Sequence, residues 1–148
     1  MKPNNDNIKQ LIHLWFTIWE SGNYLELPIS NDFCHTSPFG TIEGKENYID
    51  LIKANEDKFL GYKFQLLDEI YYEFKACVRY SCTQNDFELE VSEWYEIKDS
   101  LISKIIAYYH IGDIREDREL NQNLTDKKRT PNIGNRCTSL QFLENLNY

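Results

Sequence analysis

The sequence is short of the features that most directly announce a function. Its four cysteines, Cys34, Cys77, Cys82 and Cys137, contain no CxxC pair. Cys77 and Cys82 stand an odd number of residues apart on one expected strand and so point to opposite faces. Neither a disulfide framework nor a zinc site is expected, and a reducing cytoplasm is the default setting. No segment approaches the roughly 20 apolar residues needed to span a bilayer. The best apolar run, LIHLWFTIW, follows MKPNNDN and lacks a small-residue cleavage site, so it is read as neither a signal peptide nor a membrane anchor. Basic charge is also scarce: 16 Lys and Arg stand against 24 Asp and Glu, for a net charge of −8. The only basic run is Lys127-Lys128-Arg129, read as a solvated loop. Phosphate neutralisation needs more than this, which argues against nucleic acid as a partner.

What the chain does have is apolar and aromatic weight, at 41% and 14% of 148 residues. That is enough for a single domain with a real core. Ile8, Leu11, Ile12, Trp15, Phe16 and Trp19 recur at helical spacing, and Gly22 suits a C-terminal cap. Asn23 to Ile29 reads as a short helix or turn limited by Pro28, and Phe33 to Ser37 as a strand broken at Pro38 and Gly40. A further helix begins near Lys45, with Tyr48, Ile49, Ile52 and Phe59 as its apolar positions. Beyond Gly61 the period changes to two. Strands are expected over Phe64 to Ile70, Ala76 to Thr83, Phe87 to Ile97 and Leu101 to Ile111, with turns at Asn85-Asp86 and Asp99-Ser100. Helices followed by an antiparallel meander make an α+β plan. From Arg115 the chain turns polar, and Leu140, Phe142, Leu143 and Leu146 suggest a short terminal helix.

Four stretches in this order, WESGNY (Trp19 to Tyr24), SPFGTIEGKENYI (Ser37 to Ile49), ACVRYSCT (Ala76 to Thr83) and LISKIIAYYHIGD (Leu101 to Asp113), give the chain a family likeness. It resembles the nuclear-transport-factor-2-like superfamily, in its SnoaL-like and ketosteroid-isomerase-like branch. The resemblance implies a cone-shaped domain over residues 1–114, with a curved antiparallel sheet wrapped around N-terminal helices (a cystatin-like α+β barrel) and a cavity at the open end. Residues 115–148 then form a polar extension. It also implies a homodimer through the outer face of the sheet. Members range from isomerases, cyclases and hydratases to modules without chemistry, so fold leaves function open.

The isomerase mechanism does not carry over residue by residue. Ser37 stands where the resemblance requires an aspartate base, and Trp15 where it requires a tyrosine donor; the second acid matches Glu93. Glu93 has an independent claim. It shares one strand face with Phe87, Leu89, Val91, Tyr95 and Ile97, which should point inward and bury a carboxyl. It is a candidate acid, unless it reaches water at a bulge or is neutralised by a partner such as Arg79. Tyr80 falls on the inward series of its strand, as a cavity residue or an ordinary core tyrosine. On the last strand Ile106, Tyr108 and His110 share one face, Ile105, Ala107 and Tyr109 the other, and both are apolar. Tyr108 and His110 are taken as the cavity side, with His110 a possible base or a half-buried histidine with a backbone partner. His13 is read as a surface residue.

Cys34 and His35 are adjacent in a strand and project oppositely, so they are no nucleophile–base pair. His35, on the same face as Phe33, is a candidate base. His35, His110 and Glu93 match an iron or zinc ligand set in type, but their spacing gives no support, so neither metal nor cofactor is expected. The expected cavity lining is Trp15, Trp19, Phe33, His35, Phe39, Tyr80, Glu93, Tyr95, Tyr108 and His110. It suits a small apolar or amphipathic molecule, bound either for cofactor-free proton transfer or without chemistry.

Overall fold

The structure is a computed structural model and describes residues 4–120. Helix α1 spans Asn5–Ser21 and starts at Asn4, whose side chain accepts from the Asp6 amide. Its buried stripe is Ile8, Ile12, Trp15, Phe16 and Trp19. It ends at Gly22, left-handed at φ 80°, whose amide donates to the Trp19 carbonyl. The expected short helix or turn is a 3-10 turn at Tyr24–Glu26. Strand β1 (Ile29–Ser37) folds back through Pro38 and Phe39 onto β2 (Gly40–Glu43), a strand the sequence reading missed. Gly44 at φ 90° donates to the Phe33 carbonyl at 2.7 Å and leads into α2 (Lys45–Ala54) and α3 (Glu56–Phe59).

The remaining strands are β3 (Lys63–Tyr72), β4 (Lys75–Gln84), β5 (Phe87–Lys98) and β6 (Leu101–Tyr108). The last hairpin turns at Asp99 and Ser100, both at positive φ as a two-residue type I′ turn requires. The six strands form one curved, unclosed sheet in the order β2-β1-β6-β5-β4-β3. Every pair is antiparallel except one: β1 runs parallel to β6, so the expectation of a wholly antiparallel sheet is corrected there. β1 and β6 are separated in the chain by the whole β3–β5 meander, which leaves the direction of their pairing invisible to local periodicity. Irregularities at Leu66/Asp68 and Glu96/Ile97 add local twist, as bulges do.

The core lies between the concave face of this sheet and the helices. Ala76, Val78, Tyr80 and Cys82 of β4 and Phe87, Val91, Tyr95 and Ile97 of β5 are buried, as alternation predicts. Among the described residues no helix is long and apolar enough to cross a membrane. Residues 121–148, including Cys137 and the expected helix around Leu140, lie outside the described residues.

Candidate functional site

The concave face opens onto a cavity of about 1670 Å³. Trp15 and Trp19 reach it from α1, packed edge to face with ring centroids 5.7 Å apart. Trp19 also stacks on Phe59, and Tyr48 of α2 stacks on His35 of β1 at 5.3 Å. Phe64, Tyr80, Phe87, Leu89 and Val91 line the sheet side. β4 and β5 are ten and twelve residues long, and their inward positions are apolar from Ala76 to Cys82 and from Phe87 to Val91, which accounts for this wall.

One carboxyl interrupts it. Glu93 is 6% exposed and lines the cavity. The Tyr80 hydroxyl donates to its Oε1 at 2.8 Å and the Tyr95 hydroxyl to its Oε2. Burial raises the Glu93 pKa, and the hydrogen bonds from Tyr95 and Tyr80 oppose that rise. Burial together with Glu93 pushes the Tyr48, Tyr80 and Tyr95 hydroxyls well above the usual phenol range, and Cys82 to about 12. His35 is pushed down to about 4 by burial, so it is neutral at pH 7. The surroundings of Glu93 are therefore polar in places but uncharged. Arg79, the partner weighed from sequence, lies on the opposite face and pairs with Asp68 and Glu90.

Trp15, Trp19, His35, Phe39, Tyr80 and Glu93 all line the cavity, Phe39 from the half-exposed turn between β1 and β2. Phe33 and Tyr95 lie behind that lining, fully buried; Phe33 packs against Trp15 and Tyr48, and Tyr95 against Trp15. Tyr108 and His110 are corrections. Tyr108 is 54% exposed, and the His110 side chain is 81% exposed, with Asp113 3.8 Å away. The inward series of β6 is Ile102, Ile105, Ala107 and, just past the strand, Tyr109. Both series are apolar, so alternation alone could not choose between them. The unpaired Ser103, opposite the Glu96/Ile97 step, shifts the phase within the strand.

Sequence reasoning also missed the closing segment. After β6 the chain makes 3-10 turns at Ile111–Asp113 and Glu116–Arg118, and Ile114, Arg118 and Leu120 line the cavity rim. Arg115 holds this segment to Asp86 through two contacts of 3.1 and 3.3 Å. The Arg118 guanidinium sits 4.6 Å from the Phe87 ring centroid, donates to Gln84 and to the Tyr62 hydroxyl, and lies 3.7 Å from Asp117. The polar composition of residues 115–120 concealed this role. No local signal marks it, because Arg118 packs over Phe87 and Tyr62, both far away in the chain.

The architecture is that of the nuclear-transport-factor-2-like proteins. A protein of that fold and unknown function from Cytophaga hutchinsonii superposes with a TM-score of 0.60 at 17% identity, over 74% of this chain and 93% of that one. A candidate ketosteroid isomerase from Kribbella flavida gives 0.62 at 15% identity, over 80% and 86%. A SnoaL-like protein of unknown function from Burkholderia thailandensis gives 0.60 at 14%, over 74% and 99%. No family profile matches the sequence, and no curated protein matches it. At such identities the likeness establishes the fold.

Proposed function

We propose that the chain binds a small apolar or amphipathic molecule in the concave cavity, with Glu93 engaging its polar group. The observation that carries this reading is the buried Glu93 carboxyl, oriented by Tyr80 and Tyr95 on a sheet wall whose neighbouring inward positions are Val91, Leu89 and Phe87. The test is titration with N-phenyl-1-naphthylamine, a neutral dye whose emission rises in apolar surroundings. A saturable rise at one dye per chain, absent in a folded Ala107→Phe variant that fills the space beside Glu93, is the expected result. A rise that does not saturate, or that survives this substitution, contradicts it.

Cofactor-free proton transfer (isomerisation, cyclisation or hydration) is the second reading, with Glu93 as acid and His35 as base. It is favoured by one observation: both groups line the same cavity, where burial keeps the proton on Glu93 to higher pH and leaves His35 neutral. Substrates found by binding would then be turned over by the wild type and not by Glu93→Gln or His35→Ala. Bound but unchanged ligands leave binding as the function.

A homodimer through the outer sheet face belongs to the same proposal. Ile70, Cys77, Trp94 and Ile106 form one cross-strand row there, and Trp94 is 51% exposed. Sedimentation velocity should give a dimer for the wild type and a monomer for Trp94→Glu; a monomeric wild type refutes it. A cytoplasmic setting is proposed because the four cysteines contain no CxxC pair and show no disulfide framework.

A further inference from the structure

Each oxygen of Glu93 accepts one tyrosine hydroxyl, from Tyr80 and from Tyr95. A carboxylate oxygen accepts two hydrogen bonds, so each keeps an acceptor site for a group in the cavity. Glu43, Asp50, Lys53, Lys58, Arg118 and Glu119 also line the cavity, but none of them shifts the ionisation of Glu93, so the described surroundings supply no charge close to it. β4 contributes Tyr80 and Cys82, β5 Tyr95, α2 Tyr48 and the end of β6 Tyr109, all within electrostatic reach of Glu93. β1 contributes the neutral His35, and α1 the uncharged Trp15 and Trp19. The His13–Glu69 pair lies between α1 and β3, two strands over from Glu93. Arg118 at the rim donates through Nη1 to Gln84 and Tyr62, lies 3.7 Å from Asp117 and makes no ion pair with Glu93. Among the described residues no ion pair includes Glu93.

We infer that the ligand carries a positively charged nitrogen, a protonated or quaternary amine on an apolar body, seated with its charge between the Glu93 carboxylate and the faces of the neighbouring rings. The inference rests on the reading that the cavity is the ligand site. A buried carboxylate without a counter-ion is penalised by desolvation, and a cationic ligand removes that penalty where a neutral one does not. Tryptophan and tyrosine rings attract the same charge, and Trp15, Trp19, Tyr48 and Tyr80 line the same cavity. The net charge of −8 favours approach of a cation from solution. Because burial holds the Glu93 proton to higher pH than usual, a cation must expel it, and affinity rises as Glu93 ionises.

The test compares two probes of equal heavy-atom number, benzyltrimethylammonium and the neutral ketone 4-phenylbutan-2-one. Neither probe titrates, so any pH dependence belongs to the protein. Binding is read by ligand-observed NMR on the full chain at about pH 5 and pH 8, a window in which the tyrosines, Cys82 and His35 near Glu93 keep one protonation state. The expected result is ammonium binding that tightens with pH and exceeds ketone binding by about tenfold at the upper pH. Glu93→Gln should abolish both the excess and its pH dependence while the ketone still binds. Ammonium binding no tighter than ketone binding, or tighter at the lower pH, overturns the inference and leaves the cavity reading standing. If neither probe nor the naphthylamine dye binds, the cavity reading itself fails. The wild-type comparison needs no variant, so it stands even where Glu93→Gln folds poorly.

Discussion

Replacing Glu93 by glutamine keeps the shape of a side chain that is 6% exposed and removes its charge. In the wild type, burial raises the pKa above the ordinary 4.5, and hydrogen bonds from Tyr95 and Tyr80 pull it part of the way back. An acid whose pKa is higher folded than unfolded takes up protons on folding. Its contribution is fully present below the unfolded value and is lost as pH climbs through the folded one. A single proton limits the slope to about 1.4 kcal/mol per pH unit. Glutamine has no such loss, so the stability of Glu93→Gln minus that of the wild type should widen in the variant's favour from about pH 4.5 upward and level off once the folded pKa is passed. Rearranging one tyrosine hydroxyl to accept from the new amide adds a roughly constant offset of about 1 kcal/mol, independent of pH. Urea unfolding of both proteins, followed by far-UV circular dichroism over this range, measures the difference directly. A difference that is flat with pH, or that narrows as pH rises, would refute the claim that Glu93 is a buried carboxyl without a counter-charge.

Three further outcomes follow from the same geometry. Tyr95→Phe, which removes a donor to Glu93 at a fully buried position, should lower stability by about 1–3 kcal/mol at neutral pH and by less at acid pH, where the carboxyl is neutral; equal losses at both would count against a charge-assisted bond. Gly22→Ala should lower stability by about 1–2 kcal/mol, because the cap sits at φ +80° while nothing lies within 4 Å of an added Cβ; Gly22→Asn should cost less. Cys82, with its thiol pushed up to about 12 by burial and then by Glu93, should resist iodoacetamide in the native state at neutral pH, and mass spectrometry showing rapid native alkylation would contradict the placement.

Much of the fold was legible because local signals agreed with tertiary ones. The stripe from Ile8 to Trp19, the cap at Gly22 and the strict alternation of β4 and β5 each admit one solution, and the structure adopts it. Glu93 stood out for the same reason: a lone acid in an apolar series names its own face. β6 was illegible in this sense, since Ile106 and Tyr108 are as apolar as Ile105 and Ala107, and the unpaired Ser103 shifts its phase. His110 followed that wrong phase and lies in solvent. The parallel partnership of β1 and β6 and the packing of Arg118 over Phe87 join residues far apart in sequence, and no periodicity encodes them.

The most direct test of the account is a pH titration of the Glu93 side-chain carboxyl carbon by ¹³C NMR, with and without saturating N-phenyl-1-naphthylamine, assigned through Glu93→Gln. The expected result is a titration above the ordinary 4.5 and a resonance that moves when the dye is added. A Glu93 carboxyl that titrates at or below that value, unmoved by a dye that binds, would contradict it.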